Sequence, residues 1–227
     1  MNETLLQILL LVPGLIIAIV FHEVAHGLVA RALGDPTAQE QHRLSLNPLR
    51  HVDPIGTIIL PGFLALMKGP IFGWAKPVPV DFRRLNNPRR DMMLVAAAGP
   101  ATNIVLGAIG AVLLGLIGSN VGPDSSTATV IFMQALVQFI AINCFLAFFN
   151  LLPIPPFDGS HILEGLLPVD WARQFARLRQ AGMALFFLLI AVDWIFPQFD
   201  IIGRVVGPPV QWMMGIYQNI AIAVAGG

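Results

Sequence analysis

His22, Glu23 and His26 stand in the order H-E-x-x-H inside an otherwise apolar stretch. On a helix, residues four apart share a face, so both imidazoles can reach one zinc ion. Glu23, lying between them, can take a proton from a water bound to that metal. Three ionisable side chains at membrane depth are costly and are retained mainly for function. The competing reading is a buried polar cluster that ties helices together.

Two histidines leave a catalytic zinc one protein ligand short. The missing ligand should be an isolated acid at the same depth, and Asp158 stands out, in Asn150-Leu151-Leu152-Pro153-Ile154-Pro155-Pro156-Phe157-Asp158-Gly159. The prolines block regular helix bonding, and Gly159 leaves room for a close approach. Irregular backbone is tolerated at that depth only where it is buried in protein or lines a cavity. The alternative is that Asp158 caps a helix beginning at Gly159. Cys144 is the single cysteine, which excludes an internal disulfide and a cysteine-based metal cluster. Metal chemistry therefore rests on histidine and carboxylate.

The elements that must position these groups are helices in a bilayer. The chain has 227 residues, 56% hydrophobic and 11% charged, against about 25% charged in ordinary soluble domains. Mean hydropathy is +0.75, and apolar runs fall at 5–33, 54–72, 92–118, 130–152, 181–196 and 201–224. The reading is an all-α polytopic membrane protein, a single domain with about five to six membrane-embedded helical segments. The first run is too long for a signal-peptide core and lacks a cleavage site. Gly34-Asp35-Pro36 ends it. Gly122-Pro123-Asp124-Ser125 turns between the third and fourth runs, making a hairpin over 92–152. Run two is broken by Pro54, Gly56, Pro61, Gly62, Gly69 and Pro70, and Gly73–Val80 follows in extended form.

Charge decides whether run two crosses. If it dips in and returns, twelve of the 13 lysines and arginines share one face, all but Arg204, and the positive-inside rule makes that face cytoplasmic. If it crosses, they split. Re-entry over 54–82 also brings Asp158 to the depth of His22. Zero net charge and the lack of a basic patch argue against nucleic acid. Trp74, Trp171, Trp194 and Trp212 lie near run ends, where interfacial anchors are expected. His42, His51 and His161 are not at ligand spacing; His51 is a candidate partner behind the ligands.

H-E-x-x-H in a first core helix and Asn-x-x-Pro-x-Pro-x-x-Asp-Gly in a later one resemble the site-2 protease family of intramembrane zinc metalloproteases. The segment Ala98-Gly99-Pro100-Ala101-Thr102-Asn103 also resembles a family element. The resemblance covers nearly the whole chain and implies one catalytic Zn2+ held by His22, His26 and Asp158, with Glu23 as general base. It implies that Asn103 and Asn150 are polar groups near the site that hold the substrate strand or the oxyanion. It implies that Gly73–Val80 is a β-like element that aligns an unfolded substrate. Larger members add PDZ or CBS domains, and no stretch here is expected to form either. The expected substrates are single-span or signal-type membrane proteins, cut in a cell membrane at a site toward the cytoplasm, with a regulatory partner unnamed. The rival readings are a metal-ion transporter, whose acids would recur along a path through the bilayer, and a catalytically inactive membrane binding protein.

Overall fold

The computed structural model describes residues 3–67, 73–119, 121–122 and 125–227. Helix α1 (Glu3–Ala32) is apolar over most of its length, as a helix facing both lipid and protein must be. It stops at Gly34, whose φ of 106° suits a residue without a Cβ. Four stretches are long and apolar enough to cross a membrane: Leu9–Ala32, Pro88–Gly118, Thr127–Asn150 and Val169–Ile195. The expected five to six segments also counted α9 and the short helical piece described next.

Between the first two long helices the chain folds back on itself. After the single turn α2 (Thr37–Glu40) and a 3-10 turn at Pro48–His51, a π-helical turn at Pro54–Ile59 leads into α3 (Leu60–Leu66). These 13 helical residues (6 and 7) rise about 20 Å, short of the ~30 Å hydrocarbon layer. The end of run two, 68–72, lies outside the described residues. At Trp74 the chain is back where it started: its N–H donates to the Gly56 carbonyl at 3.1 Å, and Lys76 N–H donates to the His51 carbonyl at 2.8 Å. The Trp74 ring sits against Gly56 and faces Phe187 edge-on, so it is packed inside this fold and not simply an interfacial anchor.

Residues 73–81 contain no strand. The β-like expectation takes the form of a single extended segment tied to the rest of the molecule at alternate residues. The Trp74 and Lys76 carbonyls accept from Thr57 Oγ1 (2.9 Å) and Arg43 Nη2 (2.8 Å). Val78 N–H donates to Glu23 Oε2 at 2.7 Å and Asp81 N–H to Asp35 Oδ2 at 2.6 Å. Asp35 is fully buried, and its other oxygen accepts from Thr37. The helix stop after α1 therefore also anchors the far end of the extended segment.

Helix α4 (Pro88–Gly118) opens with proline at its first position, and Asp91 in its first turn accepts from Asn87 N–H at 2.7 Å. Helix α5 (Thr127–Asn150) is capped by Ser126. The two form the expected hairpin; of its turn, Pro123 and Asp124 lie outside the described residues. Helices α6 (Asp158–Leu166) and α7 (Val169–Leu178) follow, then α8 (Gly182–Ile195) and α9 (Ile201–Val224). Asp193 accepts from the N–H groups of Ile201 and Ile202 and so caps α9. Helix α9 packs on the hairpin through Tyr217, whose ring joins Ala111, Ile140 and Cys144 in a buried cluster. A Cβ on Gly115 would come within 2.4 Å of the Ala221 carbonyl, so only glycine permits this approach of α4 and α9.

Candidate metal centre

Helix α1 delivers His22 and His26 on one face, both buried, with ring centroids 4.6 Å apart. The proline-rich link after α5 starts α6 at Asp158, and its Oδ2 comes to 3.1 Å from His22 Nε2 and 3.4 Å from His26 Nε2. One ligand atom from each of the three lies within 4.8 Å of the others. Helix α6 begins at Asp158 itself, with Phe157 in the cap position, so the helix-cap alternative does not describe it.

The far nitrogens of both rings are committed. His26 Nδ1–H donates to the Val95 carbonyl at 2.7 Å, in the turn of α4 where Pro100 removes the N–H that Ala96 would otherwise receive. His22 Nδ1 lies 2.6 Å from Asn103 Oδ1. The assignment of that amide follows from a chain of fixed partners. Asn143 Nδ2 donates to the Phe139 carbonyl at 2.8 Å, so Asn143 Oδ1 faces Asn103 and accepts from its Nδ2 at 2.9 Å. Asn103 Nδ2 also donates to the Ala18 carbonyl at 3.2 Å. Asn103 Oδ1 is thereby turned to His22 and receives its Nδ1 proton. Both imidazoles are held as the tautomer with a bare Nε2, the form a metal requires.

The donor set fits zinc. At the usual Zn–N and Zn–O lengths of ~2.0–2.1 Å, tetrahedral ligands stand about 3.3 Å from one another, close to the 3.1 and 3.4 Å seen here. Room for the ion depends on Gly99, where an added Cβ would fall 2.5 Å from both Nε2 atoms. Gly99, by lacking a side chain, leaves the metal space open.

The other expected site residues are placed as follows. Glu23 follows His22 directly and has its carboxylate on the Val78 amide. Asn103 is fully buried with its oxygen and its amide nitrogen engaged, so this arrangement makes it a positioning group for His22, not a donor free for an oxyanion. Asn150 Nδ2 donates to the Leu146 carbonyl one turn back at 2.9 Å, and no hydrogen bond joins it to the three ligands. His51 is buried against the Ser45 carbonyl, not behind a ligand. His161 lies one turn along α6 from Asp158. Sequence reasoning missed Asn143 and the space-making role of Gly99. A lone asparagine deep in an apolar helix was the available signal for Asn143.

Residues 10–192 match the family model described as Peptidase family M50. The chain belongs to peptidase family M50. As a member of this site-2 protease family it is a zinc metalloprotease and a multi-pass membrane protein. It is 41% identical over 183 residues to YwhC of Bacillus subtilis (strain 168), provisionally named a zinc metalloprotease; 79% of this chain and 78% of YwhC align. It is 30% identical over 195 residues to Rip2 of Mycolicibacterium smegmatis, with 85% and 69% covered. Over 153 residues it is 31% identical to MJ0611 of Methanocaldococcus jannaschii, with 67% and 68% covered. Both carry the same provisional name. No solved structure matches the chain.

Proposed function

We propose that this chain is an intramembrane endopeptidase that hydrolyses peptide bonds within or near transmembrane segments of single-span or signal-type membrane proteins. The observation that carries the proposal is the convergence of His22, His26 and Asp158, tautomers fixed, near the basic end of a membrane-length apolar helix. Against a transporter, the other buried acids among the described residues, Asp35 and Asp91, are both committed to backbone N–H groups.

Zinc in this site supplies a Lewis acid that polarises the substrate carbonyl and acidifies the attacking water. His22, His26 and Asp158 hold it, and Asn103 and the Val95 carbonyl keep the imidazoles aimed. Glu23 takes up the water's proton and returns it to the leaving amine. Its carboxylate is held at the site by the Val78 amide until it takes that proton. Asn150 supplies the oxyanion donor once its amide turns from Leu146, and losing such a donor lowers rates about 10²–10³-fold.

A helical substrate hides its carbonyls in hydrogen bonds and must unwind to be cut. The extended segment 74–78 offers the opened strand an edge. Its inward-turned residues 74, 76 and 78 bond to the protein, while of the residues alternating with them Pro77 and Pro79 contribute no N–H, leaving only that of Ala75. The substrate is therefore held largely through its own N–H groups. The basic residues gathered by the return of the chain at Trp74 support a site that faces the cytoplasm in a cell membrane, with water entering from that side.

The test is the purified protein in bilayers with a library of single-span peptides, comparing wild type with Glu23→Gln. Zinc in both and cleavage only by wild type is the expected result. Equal cleavage by Glu23→Gln would sink the assigned mechanism, and undiminished zinc in Asp158→Ala would remove the third ligand.

A further inference from the structure

A cavity of about 430 Å³ opens beside the metal centre, between the start of α4, helices α6 and α7, and the end of the extended segment. Its volume falls within the range of ligand pockets. Its charged lining is Arg89, Arg173, Arg179 and Glu164, three guanidinium groups against one carboxylate, a surplus of two positive charges. Arg179 pairs with Glu164, and Arg89 is held by the Leu167 carbonyl. Arg173 pairs with Asp170 at 3.7 Å, and both side chains are exposed (77% and 87%), where such a pair is weak and screened. His161 also lines the cavity. Burial first, and Arg179 second, push its pKa down to about 4, so it is an uncharged hydrogen-bonding group at neutral pH.

The position of the cavity says what it meets. His161 is one turn of α6 from the ligand Asp158, and so on the same helix face. Val80 and Phe82 line its edge along the extended segment, two and four residues beyond Val78, whose amide touches Glu23. An extended chain rises ~3.3 Å per residue. A strand laid along 74–80 with its scissile bond at Glu23 therefore reaches the cavity about two residues later.

We propose that this cavity is a subsite for an acidic side chain of the polypeptide being cut, about two residues from the scissile bond, with Arg173 as its principal partner. The proposal rests on the endopeptidase reading above and deepens it. A carboxylate there makes charge-assisted hydrogen bonds with guanidinium groups, while Val80 and Phe82 receive the stem of the side chain. An anionic lipid headgroup has the same charge, but it would have no reason to sit one turn from a metal ligand and at the end of a substrate-aligning segment.

The test separates binding from cleavage. Zinc-loaded Glu23→Gln in phosphatidylcholine nanodiscs is titrated with fluorescent single-span peptides. Each carries one glutamate, moved residue by residue along the peptide, and each has a glutamine twin. The expected result is one position, or two adjacent positions, where glutamate binds about tenfold tighter than glutamine. High salt should weaken that preference, and adding Arg173→Gln should reduce it to within about twofold. The conservative Arg173→Lys should keep part of it, and retained zinc content in each variant shows that the site is still folded. Equal binding of every glutamate–glutamine pair would overturn the subsite. So would a preference that survives Arg173→Gln, or one that phosphatidylglycerol bilayers abolish, which would identify a headgroup site. Wild-type cleavage of the same peptides is scored separately. Acid-dependent binding without any cleavage would leave the subsite standing and refute the endopeptidase, and cleavage indifferent to the acid would do the reverse.

Discussion

Asn143 touches no metal ligand, yet it decides which way round Asn103 sits and therefore which nitrogen of His22 is bare. In Asn143→Leu the Asn103 amide loses the nearer of its two acceptors, keeping only the Ala18 carbonyl, and can turn over, presenting N–H to an imidazole nitrogen that must donate. The expected result is a 10–100-fold loss of zinc affinity, the usual cost of removing a group behind a ligand, read by competition with a chelator. Leaving a buried amide unsatisfied also costs about 1–3 kcal/mol of stability. Gly99→Ala should act differently at the same centre. The added methyl group would lie 2.5 Å from both Nε2 atoms, so zinc content should fall more than tenfold while the fold, read by thermal unfolding without zinc, changes by less than about 1 kcal/mol. Normal zinc in Gly99→Ala would show that α4 can move away. At this scale the sequence was partly legible. H-E-x-x-H and Asp158 are recognisable by type, spacing and isolation, whereas Asn143 and Gly99 act through the rotation and separation of helices. No local pattern encodes that.

The extended segment is held by side chains far from it in sequence, and Asp35 matters most. Its Oδ2 is the acceptor for Asp81 N–H, and its Oδ1 is occupied by Thr37. In Asp35→Asn one of those oxygens becomes a donor, and a backbone N–H loses its partner. Hydrogen exchange should then speed up at Lys76, Val78 and Asp81, while the amides around His22 stay protected. Uniform acceleration through α1 would mean that Asp35 supports the helix and not the segment. The sequence marked Gly34-Asp35-Pro36 as a helix stop and 73–80 as extended, and both readings describe what is seen. It held no sign that the stop residue would reach across to Asp81. That bond depends on the chain returning beside Gly56.

For the molecule as a whole, the sequence suggested no net crossing between α1 and α4 because the alternative scatters the arginines. The structure adds the return of the chain: Trp74 N–H bonds the Gly56 carbonyl and Lys76 N–H the His51 carbonyl, so the described ends of run two lie side by side. Single cysteines introduced at Gln41 and Arg83 should be labelled from the same side of the membrane, and one at Ser125 from the other. Cys144 is buried and should stay silent. Labelling of Gln41 and Arg83 from opposite sides would defeat the re-entrant topology. The number of spans was less legible, since α7 is amphipathic and joins α8 in a single candidate stretch, and composition alone does not show where one ends.

The ligand set joins positions 136 residues apart along the chain, His22 in the first helix and Asp158 in the last third. The same three side chains therefore work as a removable crosslink, and their occupancy is thermodynamically linked to folding. Free zinc at a hundred times its dissociation constant should add about 2.7 kcal/mol to stability, and chelation should take it away. The thermal midpoint would then rise with the logarithm of zinc concentration in wild type and stay flat in Asp158→Ala. A cell short of zinc would hold this protease in a looser form, more exposed to degradation, so metal supply would set how much of it survives as well as how fast it works.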